Sequence, residues 1–129
     1  MAATLHVCIT CKAPALDPAP EAEGIARPGA LLHAALVAKG CPEGVTLVAV
    51  ECLSACTQGC AVALSAPGKW SYVYGRMAES DTADILAGAA AYSATQDGIV
   101  PWRERPAIFR KQSLARVPPV LLAPQPVEL

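Results

Sequence analysis

Val45-Thr46-Leu47-Val48-Ala49-Val50 runs without a break into Glu51-Cys52-Leu53-Ser54-Ala55-Cys56-Thr57-Gln58-Gly59-Cys60. The first six residues are almost all apolar or β-branched, the composition of a buried central strand. The ten that follow put three thiols on the loop at its C-terminal end. A second strand-like segment, Thr4-Leu5-His6-Val7-Cys8-Ile9, ends in the same way, on Cys8-Ile9-Thr10-Cys11. Alternation sets Leu5, Val7 and Ile9 on one face of it and His6 and Cys8 on the other. Five of the six cysteines thus fall in two short runs, each directly after a strand. Thiolates gathered on loops at the ends of adjacent strands are what an iron–sulfur cluster or a thiolate-bound metal requires.

Between the two strands, residues 13–24 carry Pro14, Pro18 and Pro20 and read as an exposed loop. Pro28 suits the first turn of a helix. Leu31, Leu32, Ala35 and Leu36 then recur at helical spacing, Val37 widens the stripe, and Gly40 supplies a stop. After the cysteine loop, residues 61–65 and 70–76 form two strands joined by Ala66-Pro67-Gly68-Lys69, a hairpin with Pro-Gly turn chemistry. A second helix begins near Ser80, with Asp81 and Asp84 in its first turn and Ile85, Leu86, Ala89 and Tyr92 on its buried face. The order β-α-β followed by β-β-α predicts an α/β fold, a thioredoxin-like β-α-β-β-β-α sandwich over residues 1–94.

From Thr95 the pattern changes. Half of the twelve prolines lie between Pro101 and Pro126. Residues 95–129 are expected to form an irregular, basic, Pro-rich C-terminal extension. Trp102, Ile108, Phe109 and Leu114 are its docking anchors, and disorder is expected beyond Pro119.

Composition narrows the function. A chain of 129 residues fits one domain with a core that needs no disulfide staples. The net charge of −1 hides an asymmetry: five Lys/Arg against nine Asp/Glu in residues 1–100, but five against two in 101–129. Acidic body and basic tail can attract each other, or the tail can face an acidic partner. Five dispersed basic residues without aromatic platforms argue against nucleic acid. The apolar stretches are too short for a membrane span. The N-terminus lacks the charged and apolar regions of a secretory signal. A cytoplasmic location follows as the expectation, and in that reducing setting paired cysteines hold metal or do redox work.

An iron–sulfur cluster needs four soft, anionic ligands converging on a small site. If the strands at Leu5–Ile9 and Val45–Val50 are parallel neighbours, their C-terminal ends share an edge where Cys8, Cys11, Cys52 and Cys56 can meet. Open parallel sheets hold ligands at that edge. Backbone N–H groups around Gly59 are placed to donate to the sulfurs. Cys41, between Gly40 and Pro42, is read as outside the site. His6 and His33 are read as structural, and Trp70 and Tyr72 as hairpin packing.

The run Cys52-Leu53-Ser54-Ala55-Cys56-Thr57-Gln58-Gly59, followed by an apolar strand, Pro67-Gly68-Lys69-Trp70 and Tyr74-Gly75-Arg76, resembles the thioredoxin-like [2Fe-2S] ferredoxins. The resemblance spans about residues 4–93. It implies a [2Fe-2S] cluster on Cys8, Cys11, Cys52 and Cys56, electron transfer to a protein redox partner, and a homodimer. Two departures stand out. The first cysteine pair is a tight CxxC where those ferredoxins have a longer loop, and Cys60 stands where they carry proline, offering an alternative ligand. The tail, Asp97-Gly98-Ile99-Val100-Pro101-Trp102-Arg103-Glu104-Arg105-Pro106 with Arg110-Lys111 and Ala115-Arg116-Val117-Pro118-Pro119, is similar to a bacterial family of predicted metal-binding proteins. Those proteins have no assigned function and are encoded near cobalamin-biosynthesis genes, which implies a link to cobalt or corrinoid metabolism.

Two other function classes remain open. One is a zinc or cobalt site with a structural or delivery role, built from Cys8, Cys11, Cys52 and Cys56 or Cys60. The other is a thiol oxidoreductase using the CxxC. The enzyme reading is the weakest, because a Pro-rich loop follows the CxxC and no acid–base set accompanies it.

Overall fold

The computed structural model describes residues 2–10, 27–53 and 59–119. Strand β1 (Ala3–Cys8) leads to helix α1 (Pro28–Lys39) and strand β2 (Val45–Val50). Then come β3 (Val62–Ser65), β4 (Ser71–Tyr74), a 3-10 turn at Glu79–Asp81 and helix α2 (Thr82–Ala94). A second 3-10 turn at Trp102–Glu104 precedes the short helix α3 (Ala107–Lys111) and strand β5 (Ser113–Val117). The five strands form one sheet in the order β2-β1-β3-β4-β5. β1 and β2 are parallel, and every other pairing is antiparallel. No helix among the described residues is long and apolar enough to cross a membrane.

Local chemistry sets the elements. Pro28 opens α1, where a missing N–H costs nothing, and the Gly40 N–H closes it on the Leu36 carbonyl at 3.0 Å. In the β3–β4 turn the Lys69 N–H reaches Ala66 O at 3.2 Å, with Pro67 pre-set and Gly68 at φ +74°. α1 and α2 pack on each other and on β1, so both cover one face of the sheet. Leu5, Val7, Val62 and Leu64 from the strands meet Leu32 and Leu36 of α1 and Ile85 and Ala89 of α2, all with no exposed surface. Burying each such side chain contributes about 1.5–3 kcal/mol.

Lys69 is a buried cation in this core, 6% exposed. Its Nζ donates to the carbonyls of Ser93 at 2.7 Å, Tyr92 at 3.3 Å and Ala2 at 3.5 Å. Those carbonyls include the C-terminal end of α2, where a positive charge is favoured. Burial nevertheless lowers the lysine pKa from its ordinary value.

Three expectations need correction. β2 has the composition of a central strand but lies at the edge, with Val48 36% exposed. Only one face of it is covered, and its outer side has no neighbouring strand. The α1 stripe is narrower than its sequence, since Leu31 and Val37 are exposed while Leu32 and Leu36 face the core. The tail expected to be irregular supplies α3 and β5 instead. Residues 107–117 contain no proline, and β4 offers a row of backbone groups that would otherwise lack partners. β5 pairs Val117 with Ser71, Arg116 with Tyr72 and Ala115 with Val73, with an irregularity at Tyr74. Of the expected anchors, Phe109 is buried and Ile108 packs against the core. Trp102 and Leu114 are exposed. Arg116 lies 4.7 Å over the Trp70 ring, and Arg105 lies 5.8 Å over Tyr72.

The tail is fastened at Phe109. Its ring stacks on Tyr74 at 4.0 Å, and a Cβ at Gly88 on α2 would fall 2.2 Å from it. In an exposed helix, Gly→Ala stabilises by about 1 kcal/mol. Here Gly88→Ala is expected to destabilise, by about 1–3 kcal/mol in urea unfolding, because the pinned ring cannot yield. A stabilised variant would show that Phe109 does not dock on α2.

Candidate metal centre

The site follows from where β1 ends. In the parallel register Cys8 lies opposite Val50, which places Glu51 and Cys52 just past the same edge. The Ile9 N–H continues this pairing to Val50 O at 2.9 Å. On the other flank the Cys8 N–H donates to Ala61 O at 3.1 Å, next to Cys60. β1 sits between β2 and β3, so the exit of β2 and the entry of β3 flank its end. Cys52 follows the one, Cys60 precedes the other, and Cys8 ends the strand between them.

Cys8 is 2% exposed. Its Sγ donates to the Glu51 carbonyl at 3.5 Å and lies 3.6 Å from Thr10 Oγ1. The Thr10 hydroxyl also donates to Glu51 O, and Arg27 Nη1 holds the Thr10 carbonyl at 2.7 Å. The strand end, the β2 exit and the start of α1 are thereby tied together. Cys60 is also 2% exposed, and its carbonyl accepts the Met77 N–H at 3.0 Å. Burial pushes the Cys60 thiol up to about 11, and the nearby Cys8 adds to the effect. Cys52 is exposed.

α1 starts after β1 ends and α2 starts after β4 ends, so both helix N-termini, with their partial positive charge, lie on the side of the sheet where β1 ends. The Arg27 guanidinium is held on the same side by its bond to Thr10 O.

Of the residues proposed from sequence, the structure brings Cys8 and Cys60 into one buried environment and sets Cys52 on the same edge. Cys11 and Cys56 lie outside the described residues. Among the described residues, no three His, Cys, Asp or Glu side chains gather closely enough to hold a metal ion. Cys41 precedes β2, whose first residue pairs with Ala3, so it sits at the opposite end of the sheet. Burial raises its pKa. His6 Nε2 is 2.9 Å from Ser65 Oγ, and burial lowers its pKa, in keeping with a structural role. Tyr72 stacks on Tyr74 at 5.8 Å, as hairpin packing. Sequence reasoning missed Thr10 and Arg27. The one signal was a basic residue directly before the helix-opening Pro28.

The architecture is thioredoxin-like. A thioredoxin-like [2Fe-2S] ferredoxin from Aquifex aeolicus superposes with a TM-score of 0.55 at 16% identity, over 94% of this chain and 98% of that one. The chain belongs to the family described as "Protein of unknown function (DUF1636)", whose model matches residues 5–119. No curated protein matches the sequence significantly.

Burial ranks the thiols by accessibility. In the metal-free protein, a thiol-alkylating reagent at neutral pH is expected to modify Cys52 first among the described cysteines. Cys8 and Cys60 are expected to react only when the fold opens. Peptide mass spectrometry reads the order, and rapid native labelling of Cys60 would contradict the buried placement.

Proposed function

We propose that this protein is a [2Fe-2S]-binding, ferredoxin-like carrier for electron transfer or redox sensing. The observation that carries the reading is Cys8, buried at the end of a strand in register with the strand that delivers Cys52. The fold match to a thioredoxin-like [2Fe-2S] ferredoxin supports it. The donor chemistry fits: soft thiols share a sheet edge at which two helix N-termini and Arg27 offset negative charge. Cys8, Cys52 and Cys56 would hold the group, with Cys11 as the fourth thiol by resemblance. A [2Fe-2S] cluster, when bound, takes up and releases a single electron.

The chain's own residues would tune that chemistry. The Thr10 hydroxyl, 3.6 Å from the Cys8 sulfur, is the neighbouring group able to donate to it once the thiol has lost its proton. The buried walls at Cys8, Cys60 and Met77 keep water from one side of the site. Exposure at Cys52 leaves the other side open to a protein redox partner. We place the protein in the cytoplasm as a homodimer, and the tail resemblance directs its electrons toward cobalt or corrinoid metabolism.

Protein purified without oxygen is expected to be brown, with about two irons and two acid-labile sulfides per chain. A colourless protein carrying zinc would instead establish a tetrahedral thiolate site.

A further inference from the structure

Gln112 Nε2 donates to the Gly75 carbonyl at 2.8 Å and to the Arg76 carbonyl at 2.9 Å. The Gly75 N–H donates in return to Gln112 O at 2.9 Å. These bonds tie the start of β5 to the exit of β4, and they hold Arg76 at φ +57°, in the left-handed region that favours glycine. A strained residue persists where its surroundings over-determine it, and such residues gather at functional sites. Glycine would adopt this conformation freely, so what the position gains from arginine is the guanidinium.

Arg76 lines an open groove of about 270 Å³ together with Lys111, Ser113 and Leu114. Both cations are exposed, and Leu114 is 40% exposed. The tail that builds the groove is basic, with five Lys/Arg in residues 101–119 against the single Glu104. The acidic groups at this end of the sheet lie toward the other flank. Glu51 follows β2, and Glu79 and Asp81 belong to the 3-10 turn that packs on α1. The groove also adjoins the thiol edge. Met77, next to Arg76, donates its N–H to Cys60 O at 3.0 Å, and Tyr74 pairs with Val62 at the same end of β3. Four strand spacings, roughly 19 Å, separate β5 from β2. One partner face of ordinary size therefore spans both the groove and the exposed Cys52.

We propose that this groove docks an acidic segment of the protein that exchanges electrons with the cluster. The proposal rests on the cluster reading above and adds the charge of the partner and its seat. Carboxylates of that segment pair with Arg76 and Lys111, the Ser113 hydroxyl donates to them, and Leu114 supplies an apolar contact. A partner seated there takes one electron from the reduced cluster into its own one-electron centre, with no bond made or broken. Opposite charges speed such an encounter and disfavour wrong partners.

The test compares the full-length wild type with Lys111→Glu, Arg76→Gly and a control, Lys39→Glu, at the far end of α1. Each chain is purified without oxygen, and its amide NMR spectrum is followed as hexaglutamate is added at low salt. Shifts are expected at residues 75–76 and 111–114, with binding about tenfold weaker in both groove variants and unchanged in the control. The iron-loaded chains are then reduced, and their oxidation is timed with one-electron oxidants, the anion ferric EDTA or the cation hexaamminecobalt(III). The groove variants are expected to react about threefold more slowly with the anion and no more slowly with the cation. Should one groove variant not fold, the other carries the test. Shifts confined to other residues, or equal affinity in the wild type and the groove variants, overturn the docking site. Peptide binding without the change in oxidation rate overturns its place in electron exchange. A wild type that takes up no iron overturns the cluster reading and the electron exchange with it, while the peptide titration still decides the groove.

Discussion

The parallel pairing of β1 with β2 is the constraint on which the rest depends. It sets Cys8 opposite Val50 and thereby brings the ends of two strands, distant in sequence, to one edge. The register is fixed by burial. Ala3, Leu5 and Val7 face the helices, and a slip of one residue would turn them all to the other face. It would also move Cys8 from its place beside Glu51 and Thr10. The apolar core and the thiol geometry are therefore specified by the same pairing.

Connectivity supplies the electrostatics. β1 and β4 both end at the cysteine edge and each is followed by a helix, α1 and α2, that starts on that side of the sheet. A helix start carries partial positive charge without any dedicated side chain. Arg27 adds a full charge, while its bond to Thr10 O ties the helix start to the strand end. The hairpin and tail act at a distance from the thiols. Lys69 grips the end of α2, and Phe109 wedges against Gly88, so α2 is fixed along its length.

Much of this was legible in the sequence because it rests on local chemistry. Pro28, the Pro67-Gly68 turn and the alternation in Thr4–Val7 each act within a few residues, and the structure follows them. The edge position of β2 was not legible, since six apolar residues look the same whether one side or both are paired. β5 was hidden because no periodicity marks Ser113–Val117 and prolines flank it; only the vacant side of β4 gives it a place. The sequence marks Lys69 only as part of the hairpin turn, and its burial depends on carbonyls more than twenty positions away. At the site, the thiol clustering was visible in the spacing of the cysteines. The burial of Cys60 at the same end of the sheet as Cys8 was not, because it arises from strand order: β3 returns beside β1 with residue 60 just ahead of it.

The central claim is that the edge fixed by β1 and β2 holds iron in an all-sulfur environment. Iron K-edge X-ray absorption on the full chain, purified without oxygen, reads this directly. The account predicts four sulfur neighbours for each iron, two sulfides and two thiolates, with a second iron close by. Nitrogen or oxygen neighbours in place of thiolate sulfur, or iron with no iron partner, would contradict it.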